Sequence, residues 1–254
     1  MCLPFFIVKP NYKSNMKVKL INYTPNPIET AFIAARTCYS GDGPEKLWEL
    51  SLAEDENKIP DEKMHSLLDN VIASGHHSVL EHINFTFAIE EISRACSHQL
   101  VRHRIANFSQ QSQRYVAVKR DAFVVPDTIK SNPDAKIIFD ELIDNAKKTY
   151  DKLVDIGIPK EDARFVIPNA AKTNIVMTMN FREIYNVCQI RLCTRAQWEI
   201  RELFWKVKAE LSKIDELKGL ADYLQPKCVI LGYCPENRSC GMYPTREEVL
   251  GNDS

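Results

Sequence analysis

Apolar and polar positions recur along this chain with two different periods. Ile83, Phe85, Phe87 and Ile89 alternate with Asn84, Thr86, Ala88 and Glu90, a period of two that predicts a half-buried strand. Residues 17–22 and 173–179 are also strand-like. Elsewhere the spacing is helical. Leu67, Leu68, Val71 and Ile72 share one face over 64–73, and Gly75 is placed to end that helix. Asn26-Pro27 offers a cap and first turn for a helix to about residue 39, with Ile28, Ala31, Ile33 and Ala35 as its apolar positions. Ser93 caps a helix bearing Cys96, Leu100 and Val101, which delivers residues 102–104 at its end. Asn132-Pro133 opens a long helix that reaches about residue 156 and stops at Gly157. Pro159 starts a short helix containing Glu161 and Arg164, Asn180 caps another, and 196–213 forms one more, rich in Trp198, Ile200, Leu203, Phe204 and Trp205. Residues 41–46 read as a loop, and so does the stretch to Arg114, which is too polar for a core element.

There is no repeat, low-complexity segment or clear linker, so one α+β domain over 16–220 is expected. A loose extension (1–15) precedes it and a cysteine-containing tail (221–254) follows. A length of 254 residues, 44% hydrophobic and 26% charged, is ordinary for a globular protein, and a net charge of -1 argues against a general nucleic-acid coat. No apolar run approaches the roughly 20 residues that span a bilayer. The N-terminal MCLPFFIVKP lacks the basic lead of a signal peptide, so a cytoplasmic protein is expected.

Five of the eight cysteines are scattered, whereas Cys228, Cys234 and Cys240 cluster as C-x5-C-x5-C. Without a secretion signal, thiols or a metal are favoured over disulfides. The spacing is not the paired C-x2-C of zinc ribbons, and a fourth ligand would have to come from elsewhere, with Cys193 one candidate. Plain thiols are the preferred reading, and no metal site is assigned.

The charge distribution is more telling. Residues 92–120 contain no Asp or Glu but hold Arg94, Arg102, Arg104, Arg114, Lys119 and Arg120. Within RHRIANFSQQSQRY (102–115) the arginines are interleaved with amides and hydroxyls. Concentrated positive charge with hydrogen-bonding side chains suits a small phosphorylated ligand. The eight glycines form no G-x-G-x-x-G and no P-loop, so side chains must hold any phosphates. Ser112 has no adjacent base in the sequence and reads as a hydrogen-bonding residue, not a nucleophile. His76, His77 and His82 lack the i, i+4 spacing of a helical metal pair. On the helix opened by Asn180, Arg182 and Asn186 share a face, while Arg191 lies roughly 140° round from Asn186. One helix can thus address two ligands or two subunits.

Together these segments resemble the flavin-dependent thymidylate synthases, whose signature is RHR, seven residues, then Ser. Arg102-His103-Arg104, residues 105–111 and Ser112 fit it, and the flanking HHSVLEHINFTF and RAQWEIRELF resemble family segments in the expected order. The resemblance covers roughly 17–215. It implies a small, mainly antiparallel sheet flanked by long helices, assembled as a homotetramer with active sites at subunit interfaces. It also implies methylation of dUMP to dTMP, with 5,10-methylenetetrahydrofolate as carbon donor and FAD reduced by NADPH as hydride source. The family is thought to need no enzymatic nucleophile, which agrees with a basic loop free of cysteine. By the same resemblance His76, Ser78, Arg102, His103, Arg104, Gln110, Asn180, Arg182 and Asn186 face the flavin. Gln99, Arg102, Gln110, Gln111, Ser112, Gln113, Arg114 and Arg164 face the nucleotide, and Arg191 activates the uracil. Gln110 stands where relatives often carry Glu, and Arg195 where some carry His. A flavin- and nucleotide-binding relative without methylation activity would lose Arg191 or Ser112, and both are present. An RNA-binding module ranks third, because only Phe108 and Tyr115 offer stacking surfaces.

Overall fold

The computed structural model describes residues 14–117 and 122–251. Most of the 1–15 extension, with Lys119 and Arg120, lies outside the described residues. Four strands, β1 (Lys17–Tyr23), β2 (Asn84–Ser93), β3 (Ala106–Gln110) and β4 (Lys172–Asn180), form one antiparallel sheet in the order β1-β2-β4-β3. The helices are α1 (Pro27–Arg36), α2 (Pro44–Leu52), α3 (Asp61–Ala73), α4 (Arg94–Leu100), α5 (Asp127–Lys130) and α6 (Pro133–Asp155). They continue as α7 (Lys160–Ala163), α8 (Phe181–Arg191), α9 (Trp198–Leu211), α10 (Asp215–Tyr223), α11 (Lys227–Leu231) and α12 (Arg246–Leu250). None is long and apolar enough to cross a membrane.

The period-two pattern sets the architecture. Phe85, Phe87 and Ile89 of β2 lie opposite Met179, Met177 and Ile175 of β4, and all six are buried on one face. On the other face the hydroxyls of Thr86 and Thr178 meet at 3.0 Å. Ile28 and Phe32 of α1, Met64 and Leu68 of α3, Leu100 of α4, Ile184 of α8 and Leu203 and Phe204 of α9 complete the same core. Burying each such side chain contributes about 1.5–3 kcal/mol. The core continues through Leu217, Leu220 and Ala221 of α10 to Leu224.

Three capping expectations hold in detail. The side chains of Ser93, Asn132 and Asn180 accept from the backbone N–H of Cys96, Ala135 and Glu183. Others are corrected. Asn26 precedes α1 in a left-handed conformation (φ 48°) without a side-chain cap, and α1 ends at Arg36, short of residue 39. Pro44 begins α2 within the expected loop, because its fixed φ suits a first helical turn. The start of α9 moves to Trp198, where the Gln197 side-chain oxygen Oε1 accepts from the N–H groups of Glu199 and Ile200. The polar stretch to Arg114 contains β3. An edge strand pairs on one side only and tolerates polar side chains, so polarity did not exclude it.

Candidate active site

Arg102-His103-Arg104 follows the C-terminus of α4, whose start is fixed twice over. Ser93 caps it, and the buried Glu199 carboxylate of α9 accepts from the Ser93 N–H (2.6 Å) and hydroxyl (2.5 Å). His103 turns inward, edge-on to Phe204, with ring centroids 6.2 Å apart. Its Nε2 accepts from Arg191 Nε at 3.1 Å, and its Nδ1 lies 3.7 Å from Glu183 Oε1. Burial, and then the Arg191 charge, push the imidazole down to about 4, so it is neutral at pH 7. An accepting Nε2 on a neutral ring puts the proton on Nδ1, facing Glu183, a tautomer assigned from this network. Burial raises the Glu183 carboxyl, while the Asn186 side chain and Arg182 pull it down. Arg191 is itself lowered by burial, but a guanidinium remains protonated. Asn186, Glu183, His103 and Arg191 thus form one polar chain in which a cation is held by a neutral ring.

A second group lies where the 3-10 turn His77–His82 packs on α8. His77 Nε2 faces the Ile72 carbonyl at 3.1 Å, and its ring meets Tyr185 edge-on at 5.1 Å between centroids. This clamp leaves His76, Ser78 and Asn186 exposed. Arg182 pairs with Glu81 of the same turn, and the Asn180 side-chain oxygen is engaged as the α8 cap. Arg102 and Arg104 are exposed, and their side chains make no hydrogen bond or ion pair among the described residues. Two open guanidiniums are donors of the kind that hold phosphate groups.

The third group is the loop after β3. Gln110 turns into the protein and donates to Ser97 Oγ (3.0 Å) and Thr173 Oγ1 (3.2 Å), tying β3 to α4 and β4. The Gln111 N–H donates to the Asn174 carbonyl, and Ser112 Oγ accepts from the Arg114 N–H at 3.2 Å. Gln113 Oε1 accepts from Arg94 Nη2 at 3.3 Å. Arg114 donates through Nε to Glu161 at 2.6 Å and lies 5.7 Å over the Tyr115 ring. Arg164 donates to the Glu161 carbonyl at 3.0 Å. Burial and then the Arg164 charge lower Arg94, so the two cations are neighbours. Gln111, Ser112 and Gln113 line a hollow of about 170 Å3 with Lys172, Thr173 and Asn174. Gln99 is half-buried on α4. Among the described residues no hydrogen bond or ion pair joins loop residues 111–114 to Arg102, Arg104 or Arg191. Within the described residues the predicted side chains are thus not joined into one bonded network. Sequence reasoning assigned no role to Glu81, Arg94, Glu161 or Glu183. Glu183, three residues after the Asn180 cap, was the most readable of them.

The family model described as thymidylate synthase complementing protein matches residues 19–215. The flavin-dependent thymidylate synthase of Pyrococcus horikoshii is 45% identical over 227 residues, covering 87% of this chain and 90% of that one. The chain belongs to the flavin-dependent thymidylate synthase family. The Geobacter sulfurreducens relative of the same name is 44% identical, covering 89% and 94% of the two chains. The fold is similar to the crystal structure of the UMP/dUMP methylase PolB from Streptomyces cacaoi bound with 5-Br dUMP. That likeness has a TM-score of 0.69 at 21% identity, covering 85% of this chain and 97% of that one.

Proposed function

We infer that this chain catalyses the reductive methylation of dUMP to dTMP, with 5,10-methylenetetrahydrofolate as the carbon donor. Bound FAD, reduced by NADPH, supplies the hydride. The observation that carries the reading is the Arg191 guanidinium held by neutral His103 within the family signature. The work of the protein is then positioning and electrostatics. Arg191 stabilises negative charge developing on the uracil ring, and His103 fixes its direction without cancelling its charge. Ser112, Gln113, Arg114 and Arg164, with Gln99, Arg102 and Gln111, hold the nucleotide. Gln110 acts on this loop from behind, through Ser97 and Thr173. Arg102, His103 and Arg104, with His76, Ser78, Asn180, Arg182 and Asn186, orient the flavin.

In this reading the protein is a homotetramer in which neighbouring subunits complete each site. The same reading makes the protein cytoplasmic, with small-molecule partners only. The test is a visible absorption spectrum of the purified protein, before and after anaerobic addition of NADPH and dUMP. A flavin band that bleaches is expected. No band after incubation with excess FAD would overturn the reading.

A further inference from the structure

The C-terminal segment has little to hold it in place. Neither α11 nor α12 contains a buried residue. Between them, among the described residues, one isolated bridge joins Cys234 to Thr245, with the Cys234 N–H donating to the Pro244 carbonyl at 2.7 Å. A segment with so small a core ordinarily needs a covalent or metal staple.

Four cysteines meet at this point. Cys193, Cys228 and Cys240 line one cavity of about 320 Å3, walled otherwise by apolar groups such as Leu192, Trp205 and Val229 together with Thr194 and Arg201. Cys234 is buried, at 7% exposure, and lies near enough to raise the Cys193 and Cys228 thiols in addition to the larger effect of burial. Backbone N–H groups point at three of the sulfurs. The Arg195 N–H reaches Cys193 Sγ at 3.5 Å, the Val229 N–H bonds to Cys228, and the Met242 N–H bonds to Cys240. N–H···S bonds stabilise thiolates and tune the clusters they hold. Four sulfur donors without a nearby imidazole select a thiophilic metal, zinc or an iron–sulfur cluster. Among the described residues no three His, Cys, Asp or Glu side chains are arranged to hold a single metal ion. Three of the four sulfurs wall a cavity of about 320 Å3, far more room than one ion fills, which fits a larger occupant.

We propose that Cys193, Cys228, Cys234 and Cys240 are the ligands of one iron–sulfur cluster that fastens the C-terminal segment to the end of α8. The sequence favoured plain thiols because C-x5-C-x5-C lacks paired ligands. The fold supplies the missing fourth by bringing in Cys193, two residues beyond Arg191.

The test is elemental. Wild-type protein is purified anaerobically, stripped of flavin, and assayed for iron, acid-labile sulfide and zinc. Iron and sulfide in equal amounts, about two or about four of each per chain, are expected. Both should fall at least about tenfold in Cys228→Ser and Cys240→Ser, each of which removes one of four ligands, and stay unchanged in Cys38→Ser. Thiol titration of the wild type before and after iron chelation needs no variant, and about four newly reactive thiols per chain are expected. Zinc at about one per chain without sulfide would overturn the cluster. So would metal-free wild-type protein, or iron retained in both serine variants.

Discussion

Arg191 and Arg114 carry the same charge and have opposite partners. Arg191 ends α8, half-buried, with its Nε on the neutral His103 ring. Arg114 lies on an exposed loop with its Nε on the Glu161 carboxylate, and the two side chains are 53% and 46% exposed. A neutral acceptor fixes direction and leaves the cation's field intact. A carboxylate cancels that field and occupies the donor until a stronger anion takes its place. Arg182, paired with Glu81, resembles Arg114. In the proposed function, the difference separates a cation set to act on charge that develops during reaction from cations set to exchange one anion for another.

Arg191→Ala should break the first half of the comparison with the largest effect. Turnover should fall about 100- to 1,000-fold with flavin still bound, as when one preorganised donor is lost from an active site. Near-normal turnover with bound flavin would remove Arg191 from the chemistry.

Acid should act on the same contact. His103 ordinarily titrates at 6.5 and in the fold at about 4, so between those values the unfolded chain takes up a proton that the folded chain refuses. This contribution is fully present above about pH 6.5 and shrinks as pH falls, by about 3 kcal/mol once pH 4 is reached. Urea unfolding at pH 7 and pH 4.5 should lose more stability in the wild type than in His103→Asn. Equal losses would mean that His103 is not held neutral.

Arg114→Ala probes the other half. It should raise the KM for dUMP about tenfold or more with kcat retained, because hydrogen bonds to charged groups contribute about 1.5–3 kcal/mol. A fall in kcat instead would blur the distinction between the two arginines. The smallest effect belongs to Glu161→Gln. Freeing Arg114 from an exposed pair worth about 0–1 kcal/mol should lower that KM by at most about fivefold, and less in high salt. A raised KM would mean that Glu161 positions Arg114 and does not compete for it.

The sequence carried some of this arrangement plainly and some not at all. The sheet centre was legible because β2 buries one face, and a period of two has no other simple cause. The Ser93, Asn132 and Asn180 caps were legible because cap chemistry is local. Edge strand β3 was hidden, since its identity depends on β4, distant in sequence, and not on its own side chains. The arginines were visible as a charge run without acids, but their partners were not. Glu161, Glu81 and Glu183 reach Arg114, Arg182 and His103 only through tertiary contact. The inward turn of Gln110 onto Ser97 and Thr173 was equally invisible, because its neighbours Gln111 and Gln113 are chemically alike.

The most direct test of the account is a single turnover. Pre-reduced protein is mixed anaerobically with dUMP and methylenetetrahydrofolate carrying an isotopic label in its methylene carbon. The account predicts thymidylate with the label in its methyl group, formed as the flavin band returns. Reoxidised flavin with unchanged dUMP would contradict it, and would leave a protein that binds flavin and nucleotide without methylating.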